Sequence, residues 1–306
     1  MPKTAVLFTG QGAQSVGMGR DIAEARPAAR EIFQRANEVV GYDLAALCFE
    51  GPAEKLEQTD IQQPAIFTTS VAIWEAMGGA AGLPEAPVAM AGLSLGEYTA
   101  LYAAGSVSFE DALRLVKRRG ELMQMASQSP PSGMVSIMGL EPDQVEALCG
   151  QAAAAGIIRP ANYNCPGQIV VSGEKAACEA ITKLAEEAGG RAVPLKVAGA
   201  FHSPLMQPAA DGLAKVLAET PFTTPKVPVV ANVNCEPHGS GDTIREWLTQ
   251  QLTQPVRWQA SMERLIAQGV EQFVEIGPGR VLTGLMRKIA RKAPVVNIST
   301  AADLPQ

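Results

Sequence analysis

Histidine is scarce in this chain: 306 residues carry only two, His202 and His238. A nucleophile that needs an imidazole base therefore has two candidates for it. The five cysteines, Cys48, Cys149, Cys165, Cys178 and Cys235, are scattered without a Cys-x-x-Cys pair. That scatter speaks against a zinc site or a disulfide framework and for free thiols in a reducing compartment. Positive charge is in deficit, with 25 Lys and Arg against 31 Asp and Glu and a net charge of −6. Bulk charge thus gives no reason to expect nucleic-acid binding. No apolar run reaches the roughly 18 residues that a membrane span needs. Met1-Pro2-Lys3-Thr4 leads at once into an apolar strand, so no signal or transit segment is read and a cytoplasmic protein is expected.

What is present is ordinary for a soluble globular chain with a sizeable core: 47% hydrophobic and 18% charged residues. The length allows one large domain or two modest ones.

The most informative stretch is Gly92-Leu93-Ser94-Leu95-Gly96. A short apolar run, Val88–Ala91, precedes it, and Glu97–Ala104 with a Gly105 stop follows. Strand, tight turn and helix in that order form a nucleophile elbow, which lifts a serine hydroxyl to the positive end of the helix. The alternative for a bare Gly-x-Ser-x-Gly pattern is a structural turn.

Thr4–Phe8 reads as a buried strand, followed by the loop Gly10-Gln11-Gly12-Ala13-Gln14. Two close glycines after a strand can cradle a phosphate, but the dinucleotide and P-loop spacings are missing. The other use of such a loop is to aim backbone N–H groups at a developing anion. Helical patterns run over about Asp21–Val40 and Gln63–Met77, the latter with Pro64 at its first position.

Ser108-Phe109-Glu110-Asp111 opens a helix to about Ala126. Its apolar stripe holds Ala112, Leu115, Val116, Leu122, Met123 and Ala126, with Arg119 in the middle. An unpaired charge on a buried face is too costly to keep. Arg119 is therefore either half of a structural ion pair or a fork held for a ligand carboxylate.

Gln128–Gly133 looks like a linker. Beyond it the pattern is strand (Met134–Met138), helix (Pro142–Ala155), strand (Ile157–Tyr163), strand (Gln168–Ser172), helix (Lys175–Ala188) and strand (Ala192–Val197). That βαββαβ order is the ferredoxin-like arrangement, expected here as a small domain inserted in a larger one. The expected boundaries are 129–198 for the small domain and 1–128 with 199–306 for the large α/β domain. His202 then sits on a loop before a Ser-Pro stop, while His238 lies in a polar, turn-rich segment and reads as exposed. His202 is accordingly the better base for Ser94. Further elements are expected as helix Pro208–Glu219, strand Val227–Val233, helices Thr243–Leu252 and Ser261–Gln268, strand Gln272–Ile276, helix Arg280–Ala290 and strand Val295–Ile298.

Seven segments in order resemble the malonyl-CoA:acyl carrier protein transacylases of fatty acid synthesis. They are Gly10–Gln14, Gly92–Tyr98, Arg119-Gly120, Asn162–Gln168, Ala200–Ser203, Gln251-Leu252-x-x-Pro255-Val256-x-Trp258 and Glu275–Gly279. The resemblance implies an α/β-hydrolase-like large domain with a parallel central sheet. It implies Ser94 as nucleophile, His202 as base, and the backbone carbonyl of Gln251 as the partner of His202. The oxyanion hole would be the N–H groups of Gln11 and Leu95. Arg119 would hold the malonyl carboxylate, with Phe201, Asn162 and Met123 also lining the substrate site. Phe201 before the histidine resembles the malonyl-selecting form of its motif. Many relatives carry histidine where this chain has Leu93.

The activity so implied is malonyl transfer from malonyl-CoA to the phosphopantetheine thiol of acyl carrier protein, with no metal or bound cofactor, by a monomer. Docking of an acidic carrier would need local basic patches: Lys117, Arg118, Arg191, Lys196, Arg287-Lys288 and Arg291-Lys292 are the candidates, each also readable as a solvated face. Three rivals remain on sequence alone: a hydrolase using the same pair, a trans-acting acyltransferase serving a polyketide carrier, and a non-catalytic docking module.

Overall fold

The computed structural model describes residues 2–305. Nine strands occur among them: β1 (Thr4–Phe8), β2 (Ala89–Gly92), β3 (Ser132–Met138), β4 (Ile158–Cys165), β5 (Gln168–Glu174), β6 (Arg191–Pro194), β7 (Val229–Val230), β8 (Gln272–Ile276) and β9 (Val295–Ile298). They form two sheets. The larger, in the order β7-β2-β1-β8-β9, is parallel throughout.

Alternation along β1 explains why that sheet is covered on both faces. Val6 and Phe8 join a core with Phe33, Phe67, Leu101 and Leu115, whereas Ala5 and Leu7 join one with Trp258, Met262 and Leu282. Parallel strands need crossovers, and helices supply them on either side. β1 lies in the middle, so the loop leaving its C-terminal end meets the turn leaving β2. Sites of parallel sheets lie at such carboxyl ends.

The second sheet, in the order β4-β5-β3-β6, is antiparallel. Helices Pro142–Ala152 and Lys175–Glu187 pack their buried Val145, Leu148, Ala177 and Ile181 on one face of it. The expected strands and helices of this stretch are all present, with β3 starting two residues earlier and β6 ending at Pro194. β4 is also stitched to the segment ahead of Trp258, through Tyr163 N–H to Val256 C=O (2.9 Å) and Val256 N–H to Ala161 C=O (2.8 Å).

Four expectations need correction. The helix expected over Asp21–Val40 is two, Arg20–Ala25 and Pro27–Val40, because Arg26 takes an extended conformation ahead of Pro27. The helix expected from Gln63 begins at Thr59, which places Pro64 inside it; the packing of a largely buried helix outweighs the one donor that Pro64 lacks. The strand expected over Val227–Val233 shrinks to Val229–Val230, since its sole ladder neighbour β2 runs out where the elbow begins. His238, read as exposed, is 5% exposed. Its segment folds back, with His238 N–H donating to Val229 C=O at 2.8 Å, and lays the ring against Trp247.

Candidate active site

The elbow takes the predicted form. β2 ends at Gly92 and the helix Leu95–Ala103 starts one residue after Ser94. Ser94 has φ 52°, a left-handed conformation rare outside glycine. A side chain at Gly92 would collide with the Gly96 backbone, and one at Gly96 with the carbonyl of Phe8. Both glycines are thus required by close approach. Asn232 locks the turn: its Oδ1 accepts from Ser94 N–H at 2.6 Å and its Nδ2 donates to Gly92 C=O at 2.8 Å. The sequence reading did not single out Asn232; nothing in its local pattern marks it.

His202 meets Ser94 across 108 residues, with Nε2 and Oγ 2.8 Å apart. Its Nδ1 lies 2.6 Å from the main-chain carbonyl of Gln251. A carbonyl can only accept, so Nδ1 carries the proton and Nε2 turns its lone pair to the serine hydroxyl. His202 also has a positive φ, 56°.

Arg119 is fully buried. It donates from Nη2 to Ser94 Oγ and Gln251 Oε1, both at 2.9 Å, and from Nη1 to Gln63 Oε1 at 2.6 Å. Its guanidinium lies 5.2 Å from the Tyr98 ring centroid. All three acceptors are neutral, and no carboxylate pairs with it among the described residues. The ion-pair alternative is therefore not what the structure holds.

Gln11, Met123, Asn162, Phe201, Ser94 and His202 line one cavity of about 350 Å³. Arg119, Gln251 and Leu95 are not in its wall; Arg119 and Gln251 lie behind the dyad. Leu93 is in the wall. A side chain at Gly10 would collide with the Leu93 carbonyl, so the Gln11 loop runs directly against the elbow. The amides of Gln11 and Leu95 have no acceptor among the described residues. Of the candidate basic residues, Lys196 lines the cavity and Lys288 Nζ lies 3.4 Å from Gln168 Oε1 in its wall. Arg118 pairs with Glu121 at 2.8 Å, and Lys117 donates to Val40 C=O at 3.0 Å.

The acyl transferase domain model matches residues 6–306. The chain belongs to that family. It is 46% identical over 293 residues to the malonyl CoA-acyl carrier protein transacylase of Escherichia coli K12, covering 94% of this acyltransferase and 93% of the relative. The protein of that name from Bacillus subtilis is 42% identical, over 98% and 94% of the two chains. Among solved structures, an acyl carrier protein S-malonyltransferase from Vibrio cholerae superposes with TM-score 0.94 at 44% identity, covering 98% of both chains. A malonyl-transacylase in complex with its type II PKS acyl-carrier protein gives TM-score 0.95 at 43% identity, covering 98% of this chain and 97% of that one.

Electrostatics set the protonation state of His202. Burial, reinforced by the Arg119 charge, pushes His202 from 6.5 down to about 4, against the opposing bond to the Gln251 carbonyl. The imidazole is thus neutral and ready to accept a proton over the physiological range. The kcat/KM of the free enzyme is expected to stay flat as pH falls through 6.5 and to drop only near 4, in a pH–rate series with folding checked by circular dichroism. A midpoint between pH 6 and 7 would show that His202 is not so depressed, or not the base. The same shift fixes a sign for stability. In the acid range the unfolded chain takes up this proton first, so the contribution is present above about 6.5 and is lost as pH falls towards 4. Among the described residues, no helix is long and apolar enough to cross a membrane.

Proposed function

We propose that this acyltransferase moves the malonyl group from malonyl-CoA to the phosphopantetheine thiol of acyl carrier protein, through a malonyl ester on Ser94. The observation that carries the reading is Arg119. A buried guanidinium bonded only to neutral acceptors, one of them the nucleophile's own oxygen, is suited to an acyl group that brings its own carboxylate. Nε has no partner among the described residues, so donor capacity remains.

The steps follow from the geometry. Ser94 Oγ attacks the thioester carbonyl while His202 Nε2 takes its proton. The amides of Gln11 and Leu95, the latter at a helix N-terminus, stabilise the oxyanion. The C–S bond breaks, His202 returns the proton to the leaving CoA thiolate, and malonyl-Ser94 remains. The carrier's thiol gives its proton to His202, attacks the ester, and releases Ser94 with its proton restored. The Gln251 carbonyl holds the imidazole where many dyads use an acid. Phe201 and Met123 give the acyl pocket its bulk, and Asn162 offers it an amide.

Supporting the coarser architecture, we read the large sheet with its helices, 1–128 and 199–306, as an α/β-hydrolase-like domain, and 129–198 as a ferredoxin-like insert. The strand order β4-β5-β3-β6 is that of a βαββαβ sandwich. We read carrier docking on Lys196, which lines the cavity, with Arg287-Lys288, where Lys288 reaches Gln168 of the wall. Lys117 and Arg118 are engaged elsewhere. Five buried free thiols support a reducing cytoplasm.

Intact mass after mixing the protein with malonyl-CoA tests the reading. A malonyl adduct on Ser94, discharged by holo carrier protein, is the expected result. An adduct that decays to malonate equally fast without carrier would instead make the chain a hydrolase. Labelling by acetyl-CoA but not by malonyl-CoA would refute the role of Arg119.

A further inference from the structure

Glu97 lies three residues after Ser94 and is 1% exposed. A carboxylate so placed needs several donors, since burying it unpaired is prohibitive. It has three. Oε1 lies 2.6 Å from His238 Nε2, and Oε2 accepts from Gln251 Nε2 at 2.7 Å and from Asn232 N–H at 3.1 Å. His238 is itself buried, and the mechanism above does not use it.

Gln251 stands between two charges. An arginine can only donate and an ionised carboxylate only accept, so its amide has a single workable orientation, Oε1 to Arg119 and Nε2 to Glu97. The second Nε2 hydrogen goes to Ser94 C=O at 3.0 Å. The main-chain carbonyl of the same residue holds His202 Nδ1. One residue thus touches the base, the guanidinium and the elbow, and its side chain is oriented by Glu97.

We infer that Glu97, held by His238, is a positioning residue that fixes the Gln251 amide and through it Arg119. The neutral amide in between has a purpose. It relays the negative charge of Glu97 towards Arg119, offsetting part of the burial cost, without giving Arg119 a direct carboxylate partner. A direct partner would occupy the place that the substrate carboxylate is to take. The selectivity for an acidic acyl group therefore depends on a residue that never meets the substrate.

The inference rests on the malonyl reading above, and a double-mutant cycle tests it through selectivity. Malonyl and acetyl transfer are measured for wild type, Glu97→Gln, Gln251→Ala and the double variant, with thermal unfolding recorded for each. Glu97→Gln is expected to lower the malonyl-to-acetyl ratio of kcat/KM by about tenfold, the scale of a lost charged hydrogen bond. In the Gln251→Ala background the same change should move the ratio by less than about threefold. His238 gives a second pair: His238→Gln keeps a donor towards Glu97 and should hold the ratio, whereas His238→Ala should lose it. Equal falls for both acyl groups, or a Glu97→Gln effect that persists without the Gln251 amide, would overturn the inference and leave a merely structural carboxylate. A wild type with no malonyl preference would take down the functional reading as well. A preference that survives in the variants sinks only the inference.

Discussion

Ser94→Ala is expected to abolish the covalent ester with malonyl-CoA and to lower transfer by at least about 10⁴-fold, because Ser94 carries the one hydroxyl in the cavity wall among the described residues. His202→Ala should cost about 10²–10⁴-fold, the range of a well-placed general base. The informative measurement is the double variant. Ser94 Oγ and His202 Nε2 are 2.8 Å apart and share one proton, so they act as a unit. Once the hydroxyl is gone the imidazole has nothing to activate, and Ser94→Ala with His202→Ala should be no slower than Ser94→Ala alone. Steady-state transfer to carrier protein and intact mass would both report this. If the two losses multiplied, His202 would be acting on something other than Ser94. If His202→Ala kept most of its activity, the base would be elsewhere, and the only other imidazole is bonded to Glu97 behind the elbow.

Arg119→Ala should separate acyl groups rather than disable the dyad. Malonyl transfer is expected to fall by about 10²–10⁴-fold, since a carboxylate left unpaired in a closed site loses about 3–5 kcal/mol. Acetyl transfer has no carboxylate to lose and should fall far less. A second readout comes from His202. The Arg119 charge helps hold its pKa down, so removing that charge raises it, and the acid limb of the pH profile should move towards neutral. Arg119→Lys keeps a charge but not a planar fork, and should lie between the two. The substitution leaves Gln63 Oε1 and Gln251 Oε1 without their donor, so thermal unfolding must accompany the kinetics. Unchanged malonyl kinetics, or equal losses for malonyl and acetyl, would remove Arg119 from the carboxylate site.

The strand, turn and helix around Ser94 depend on glycines and on residues a few positions apart, and the structure reproduces them. β8 and β9 also have the spans their apolar runs indicate. Arg119 was identifiable because it interrupts an apolar stripe of helical period. Where expectation failed, a distant partner or a proline's neighbour decided. Pro27 breaks a helix through Arg26, while Pro64 is absorbed by a helix packed on nearly all sides. His238 looked like a loop histidine until Glu97, 141 residues away, gave it a buried partner.

Ser94, His202 and Arg119 stand out from the chain alone as candidates, because each sits in a local pattern that exposes or buries a reactive or charged group. Only the tertiary structure decided how they are held. Gln251 and Asn232 are ordinary amides in their own segments. They acquire their roles because the parallel sheet brings the end of β2 against chain 130 to 160 residues further on. There a group that both donates and accepts is the one chemistry that can lie between a buried carboxylate and a buried guanidinium.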